Sequence, residues 1–275
     1  MIDNKDSKVI DEFGIEWKKF NYSNLDKNIL FQNFLQYFKI FPWEKIGSNS
    51  IGFDMGCGSG RWAQFVAPKV KHLNCIDPSQ ALEVAKLNLE KYNNISFLNE
   101  TTQNCSLKVE SQDFGYCLGV LHHIPDTDEA IKDCARILKK GAPFLVYVYY
   151  DFENKPLWFK IIWKISDYIR RLISKLPTNT KKLVCDFIAF TIYFPLSRFA
   201  NFLSKQNINS ENIPLSDYKN KPIYQLRNDA LDRFGTRLEK RFSKSKIKHL
   251  LEKNNFNKIS FSDEMPYWCC LAYKK

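Results

Sequence analysis

A chain of 275 residues with 44% hydrophobic and 26% charged side chains can bury a substantial core, which excludes a disordered or fibrous protein. A formal charge of +11, with a pI near 9.1, admits nucleic acid, anionic lipid or an acidic small molecule as partner and selects none of them. Eight cysteines, without Cys-x-x-Cys or a Cys/His spacing suited to zinc, read as reduced thiols with no metal site.

The first seven residues, Met1 to Ser7, are polar and acidic and lack the basic-then-apolar order of a secretory leader, so a cytoplasmic chain is expected. Residues 12–40 place apolar groups at helical spacing after a turn containing Gly14. Within this stretch Trp17 and Phe20 either pack as core or cover a bound cofactor. From residue 50 short apolar runs alternate with amphipathic ones, the sign of a parallel α/β sheet. Strands are predicted at 50–55, 72–76, 95–98, 114–121 and 142–150, and helices from Arg61, at 79–92 and at 127–139, with Lys140-Gly141 as a stop. Residues 151–243 break this rhythm and read as a cap. A helix at 244–255 and strands at 257–261 and 267–273 follow, the two strands close enough to pair as an antiparallel hairpin. The most apolar run, 187–196, is bounded by Asp186 and Arg198 and is too short to cross a bilayer, so no transmembrane segment is expected.

The chemistry concentrates at Asp54-Met-Gly-Cys-Gly-Ser-Gly60. A buried strand turning tightly into a helix needs glycine where φ is positive and where a ligand approaches the backbone, so this turn is a candidate cradle for a nucleotide-like ligand. Asp77 ends the second strand and is placed to receive ribose hydroxyls; as Asp-Pro-Ser ahead of a helix it also suits an N-cap. Two features turn the reading from a dinucleotide to a sulfonium cofactor. Arg61 stands where the third glycine of a pyrophosphate fingerprint would be, and Asp54 would repel a pyrophosphate but suits the ammonium group of an amino-acid moiety.

These residues, with the Leu-His-His-Ile-Pro turn at 121–125 and Leu-Lys-Lys-Gly-Ala-Pro at 138–143, resemble the class I methyltransferases of the type-11, UbiE-like group. The resemblance covers about residues 50–150, and the last thirty or so residues fit the closing helix and hairpin of that fold. It implies an α/β fold: a Rossmann-like seven-stranded sheet, mostly parallel with an antiparallel last strand, plus a helical cap inserted after strand five. The implied organisation is an N-terminal helical lid (1–49), a core that binds S-adenosylmethionine (50–150), the cap (151–243) and the closing helix and hairpin (244–275).

Carried over position by position, the resemblance implies that Gly56, Cys57, Gly58 and Gly60 wrap the methionine part, Asp54 assists its ammonium group, Asp77 holds the ribose, and Gly119 lies on the cofactor side of strand four. Adenine falls near Pro78, Ser79 and the loop after strand three. There the chain departs from the usual acidic residue and offers Thr102 or Gln103.

Methyl transfer from a sulfonium needs alignment, exclusion of water and, for a hydroxyl acceptor, a base. His122 and His123 stand past strand four, at the carboxyl edge, where they either supply that base or shape the turn. Tyr149 and Tyr150 are candidates for the acceptor side, as are Arg227, Asp232, Arg233 and Arg237 in the cap; the cap residues equally suit an ion-pair network. The Leu-His-His-Ile-Pro turn differs from the Asn/Asp-Pro-Pro-aromatic turn of DNA amino-methylating enzymes, which argues against nucleic acid.

In residues 157–176, Leu157, Ile161, Ile165, Ile169, Leu172, Ile173 and Leu176 share one helix face, and Lys160, Lys164, Asp167, Arg171 and Lys175 share the opposite one. Residues 151–205 hold ten Lys/Arg and four Asp/Glu. The apolar face either packs on the sheet or meets an anionic membrane surface. The function expected is transfer of a methyl group from S-adenosylmethionine to oxygen or nitrogen of a small molecule, amphipathic, lipid-linked or a sugar. RNA or protein methylation and a non-catalytic cofactor-binding subunit are the alternatives, and the oligomeric state is left open.

Overall fold

The computed structural model describes residues 3–22, 25–208, 210 and 213–275, so Met1 and Ile2 of the leader reading lie outside the described residues. The apolar runs form strands β1 (Ile51–Met55), β2 (His72–Ile76), β3 (Ile95–Leu98), β4 (Phe114–Leu118), β5 (Pro143–Tyr147), β6 (Phe256–Phe261) and β7 (Cys269–Lys274). They join one seven-stranded sheet in the order β3-β2-β1-β4-β5-β7-β6. The first five run parallel, while β7 is antiparallel to both β5 and β6, the mixed sheet that was expected. Glycine and phenylalanine interlock β1 with β4: a Cβ on Gly52 would stand 2.3 Å from the Phe114 ring, and one on Gly115 2.2 Å from the Phe53 ring. Each ring fills the space over a glycine of the neighbouring strand, so the two strands pack without a void. Strand order reverses between β1 and β4, and that reversal opens a crevice at their carboxyl ends.

Two helices precede the sheet, α1 (Ser7–Lys19) and α2 (Lys27–Tyr37), capped by the carboxylates of Asp6 and Asp26. Gly14 is therefore interior to α1 and does not form the turn expected there. The reason is close packing: a Cβ on Gly14 would come within 3.2 Å of the Gln80 backbone nitrogen. The helix expected from Arg61 is short, α3 (Ala63–Val66), because Pro68 sits in the 3₁₀ turn Ala67–Lys69 that ends it. Next come α4 (Ala81–Asn88) and α5 (Thr127–Ile137). The Asp126 carboxylate caps α5 by accepting the Asp128 and Glu129 N–H groups at 3.0 and 3.2 Å. α5 turns Ala130, Ile131, Cys134 and Ile137 into the core.

The chain divides into two compact units, Met1–Asp151 with Leu238–Lys275, and Phe152–Arg237. The second is helical: α6 (Leu157–Ile173), α7 (Thr178–Ile188), α8 (Phe194–Lys205) and α9 (Ile223–Gly235). α6 and α7 pack on α9, whose Leu226, Ala230, Leu231 and Phe234 are buried. α7 passes into α8 through a π-helical turn, Ala189–Tyr193. Pro195 has no N–H to bond the carbonyl four residues back, and the helical ladder widens just before it. The apolar run 187–196 thus lies inside one helix, Thr178–Lys205, 28 residues long with a mean hydropathy of 1.4 in its most apolar window. By length and composition this helix is long and apolar enough to cross a membrane, although the run 187–196 alone is not.

α6 is inverted relative to an ordinary amphipathic helix. Its buried residues are Asp167, Arg170 and Ile173, while Leu157, Ile161, Ile165, Ile169 and Leu172 are between 42% and 74% exposed. Of the two readings left open for its apolar face, inward packing is the one these exposures do not fit. The cause is a charged network: Asp167 accepts from Arg170 Nε at 2.7 Å and Arg171 Nε at 3.0 Å. Arg170 Nη1 in turn donates to the carbonyls of Thr236 (2.8 Å) and Arg237 (3.1 Å), just past the end of α9.

Candidate active site

β1 ends at Met55, and the chain reverses through Gly56 (φ +77°) and Gly58 (φ +55°), a region that side chains with a Cβ rarely adopt. In the turn expected to cradle a ligand, the N–H groups of Gly56, Cys57 and Gly58 are bonded within the protein. Those of Gly56 and Cys57 donate to Ile76 O at 2.7 and 3.1 Å, and Gly58 N–H donates to Asp77 Oδ2 at 2.9 Å. What the glycines supply is shape: a Cβ on Gly56 would stand 2.3 Å from Val120, and one on Gly58 3.0 Å from the Trp17 ring. Trp17 therefore lies directly on the turn, whereas Phe20, only 1% exposed, is core. Arg61 is held among aromatic rings, 5.0 Å from Trp17 and 4.6 Å from Trp62. The Cys57 thiol is buried beside Cys75 and lies 3.9 Å from the Gly58 carbonyl oxygen, which accepts from it.

Two carboxylates flank the turn. Asp77 Oδ1 accepts the Ser79 N–H at 2.9 Å and the Ser79 hydroxyl at 2.6 Å, so Asp77 ties the turn to the start of the next segment. Burial raises its pKa, against the hydrogen bonds from Ser79 and Gly58. Asp54 is 1% exposed, and no group satisfies its Oδ2. Burial pushes its carboxyl up to about 8; the Tyr116 hydroxyl opposes the shift, the Asp77 charge adds to it and Arg61 opposes it. A buried acid in this state is ready for a cation. Beyond β4, a Cβ added to Gly119 (φ +82°) would meet nothing within 4 Å, so the strand end opens into space.

On the side of Pro78 and Ser79, Thr102 is 4% exposed, and Gln103 Oε1 accepts the Asn4 N–H at 2.8 Å. The sequence reading missed Asn99, whose Nδ2 donates to Asp77 O at 3.2 Å and links the end of β3 to that of β2. His122 and His123 form a 3₁₀ turn, Leu121–His123, two residues past the Val120 that packs on Gly56. The structure brings both together with Tyr149. The His122 ring lies 4.0 Å from those of His123 and Tyr149, fully buried, with neither ring nitrogen hydrogen-bonded. Burial holds its pKa well below the ordinary histidine value, helped by His123 and Arg241, so it is neutral at pH 7. His123 Nδ1 instead lies 2.6 Å from Leu238 O, a structural tie.

Arg241 is a further residue with no signal in the sequence pattern: its guanidinium stands 5.1 Å over Tyr149, pairs with Glu239 at 2.9 Å and donates to Tyr150 O at 3.1 Å. The Tyr150 ring packs edge-on against Tyr267 at 5.6 Å. The remaining acceptor candidates belong to the helical unit. There Arg227 forks onto Asp186 at 3.0 and 2.9 Å, Arg233 lies 3.7 Å from Asp167, and Arg237 offers its carbonyl to Arg170. Asp232 sits one residue before Arg233 on α9.

The strand order and the glycine turn flanked by Asp54 and Asp77 define the class I, Rossmann-like methyltransferase fold, whose cofactor is S-adenosylmethionine. Residues 53–146 match the family model described as "Methyltransferase domain", and this stretch is a methyltransferase domain of the type-11 group. The chain is similar to the ubiquinone biosynthesis O-methyltransferase of Escherichia coli, 28% identical over 134 residues, covering 48% of this chain and 55% of that protein. It is 26% identical to the Proteus mirabilis enzyme of the same description over 136 residues, 48% of this chain and 54% of that one. The chain thus spans about half the length of the curated relatives it matches. Among solved structures, a SAM-dependent methyltransferase from Thermotoga maritima, described as a possible histamine N-methyltransferase, aligns with a TM-score of 0.50 at 15% identity, covering 96% of this chain and 100% of that one. Phosphoethanolamine N-methyltransferase 2 of Haemonchus contortus aligns with a TM-score of 0.51 at 16% identity, over 93% of this chain and 43% of that one. Both likenesses are of fold.

Proposed function

We propose that this chain is a cytoplasmic methyltransferase that methylates a hydroxyl oxygen of a small amphipathic molecule. The observation that carries the reading is the pairing of an unsatisfied buried carboxyl at Asp54 with a neutral, unbonded imidazole at His122, both at the carboxyl edge of the sheet. S-adenosylmethionine supplies a methyl group already activated by the sulfonium charge. Asp54 would hold its ammonium group, Asp77 its ribose hydroxyls through the carboxylate lone pairs left over from Gly58 and Ser79, and Gly119 leaves room beside β4. Pro78, Ser79, Thr102 and Gln103 would border the adenine.

His122 is the proton acceptor. Neutral and with a ring nitrogen free, it would take up the proton that the acceptor's hydroxyl loses on methylation. Tyr149 supports its ring face, and His123, anchored to Leu238 O, fixes the turn that carries it. The sealed surroundings of His122 exclude water from the proton transfer. The names of the curated relatives support oxygen as the methylated atom, and the basic, apolar-surfaced helical unit supports an amphipathic acceptor.

The test is transfer of labelled methyl from S-adenosylmethionine to a panel of phenols, catechols and amines. His122→Ala is expected to lower turnover about 10²–10⁴-fold on the hydroxyl acceptor while leaving S-adenosylhomocysteine affinity unchanged. Turnover equal to the unaltered chain would remove the base, and transfer to amines alone would remove the oxygen.

A further inference from the structure

The unit Phe152–Arg237 carries charge and apolar surface out of proportion to its size. It holds fifteen Lys/Arg against seven Asp/Glu, a net +8 out of the chain's +11. Among the described residues, sixteen of the twenty large apolar side chains that are exposed belong to it, a concentration that marks an interaction surface.

On α6 this surface is ordered. At 100° per residue, the eight exposed apolar residues from Leu157 to Leu172 fall within an arc of about 140°. Lys164 and Arg171 run along one edge of the arc and Lys175 follows just past the helix end; all three are exposed. The opposite side of the helix is occupied by the buried Asp167–Arg170 network, so the apolar arc is not a packing face that lacks its core. Trp158 and Tyr168, 46% and 67% exposed, add amphipathic rings of the kind that settle at a membrane interface.

We infer that α6 docks lengthwise on an anionic membrane surface, with its apolar arc at the boundary of headgroups and acyl chains and Lys164, Arg171 and Lys175 against acidic headgroups. Charge selects this occupant. The basic edge of the arc complements anionic lipid, whereas an isologous contact between two copies would bring these like-charged edges to the same interface. The contact is peripheral. Helix Thr178–Lys205 turns Lys181, Cys185, Ile188 and Ala189 inward and holds Asp186 in its fork with Arg227, so crossing the bilayer would break both the packing on α9 and a paired charge.

The test is flotation of the full chain with vesicles of phosphatidylcholine alone and of phosphatidylcholine mixed with phosphatidylglycerol. It uses no methyl donor, so its result is independent of the proposed reaction. The unaltered chain is expected to float with the anionic vesicles and about tenfold less with the neutral ones, and added salt should weaken the binding. Ile161→Glu with Ile165→Glu changes exposed positions only; the variant should keep its helical circular dichroism and lose about tenfold or more of the binding. No flotation at low salt would overturn the inference, as would flotation indifferent to the double substitution. A concentration-dependent dimer that the same substitutions dissolve, without vesicle binding, would assign the face to a second copy. Resistance of the bound chain to alkaline carbonate would assign it to a spanning helix and overturn peripheral docking.

Discussion

Asp54 and Asp167 are both carboxylates withdrawn from water, one in each unit, and they are displaced in opposite directions. Burial drives Asp54 up to about 8, and nothing bonds its Oδ2. Burial also works against Asp167, but the hydrogen bond from Arg170 and the charges of Arg170, Arg233 and Arg171 outweigh it and hold its pKa below the ordinary carboxylate value. A charge that serves the fold comes with its partners built in, whereas one that awaits a ligand is left without them. The helices divide in the same way. α5 turns its apolar side into the core of the sheet unit, and α6 turns its own outward. Amphipathic pattern establishes that a helix has two faces; it does not say which one the protein covers.

The largest effect should come from breaking the network at Asp167. Asp167→Ala strands Arg170 beneath the end of α9 and is expected to destabilise the helical unit by about 3–5 kcal/mol, the cost of leaving a buried charge unpaired. Thermal unfolding followed by circular dichroism measures it. The sign of the pH dependence follows from the lowered pKa: the contribution of Asp167 is present above the unfolded carboxylate value and is lost as pH falls through the folded one. A loss no larger than that of an ordinary surface substitution would mean that the inward polar side of α6 does not hold the unit together.

The two helices can be compared directly at matched residues. Ile131 of α5 is 3% exposed and Ile161 of α6 is 49% exposed. Ile131→Ala should cost about 2–4 kcal/mol through lost burial and the cavity left behind, and Ile161→Ala less than about 0.5 kcal/mol. Denaturant titration of both variants decides it. Equal costs would mean that the arc on α6 is covered within the chain after all.

Much of this division could be read from the sequence, and its gaps have physical causes. β1, β2, β4 and β5 were legible because short apolar runs buried on both faces leave little freedom, and the glycine turn because positive φ restricts residue type at Gly56 and Gly58. Gly14 misled because a glycine that lets a helix approach Gln80 looks the same in sequence as one that ends a helix. The inversion of α6 was hidden because Arg170 finds its partners at Thr236 and Arg237, more than sixty residues away. Arg241 was missed for a similar reason: what gives it a place is Tyr149, on the far side of the helical unit in the chain.

The remaining test concerns the other carboxylate. If Asp54 is a site group, it must give up a proton to meet an ammonium ion, and binding must then depend on pH. In the free protein Asp54 is protonated below about 8, so the folded state holds one proton more than the unfolded chain between the ordinary carboxylate value and 8, and stability falls as pH rises across that range. Binding runs the other way. Affinity for S-adenosylhomocysteine should rise from about pH 6 toward about pH 8, by at most about tenfold per unit, and then level off as the ligand's own α-amino group loses its proton. Asp54→Asn keeps the side chain's size, removes the titration, and should bind more weakly with no such rise. Calorimetry at stepped pH reads both slopes. A flat profile in the unaltered chain would make Asp54 a second Asp167, a carboxylate already satisfied by the fold, and an equal slope in Asp54→Asn would move the proton to another group.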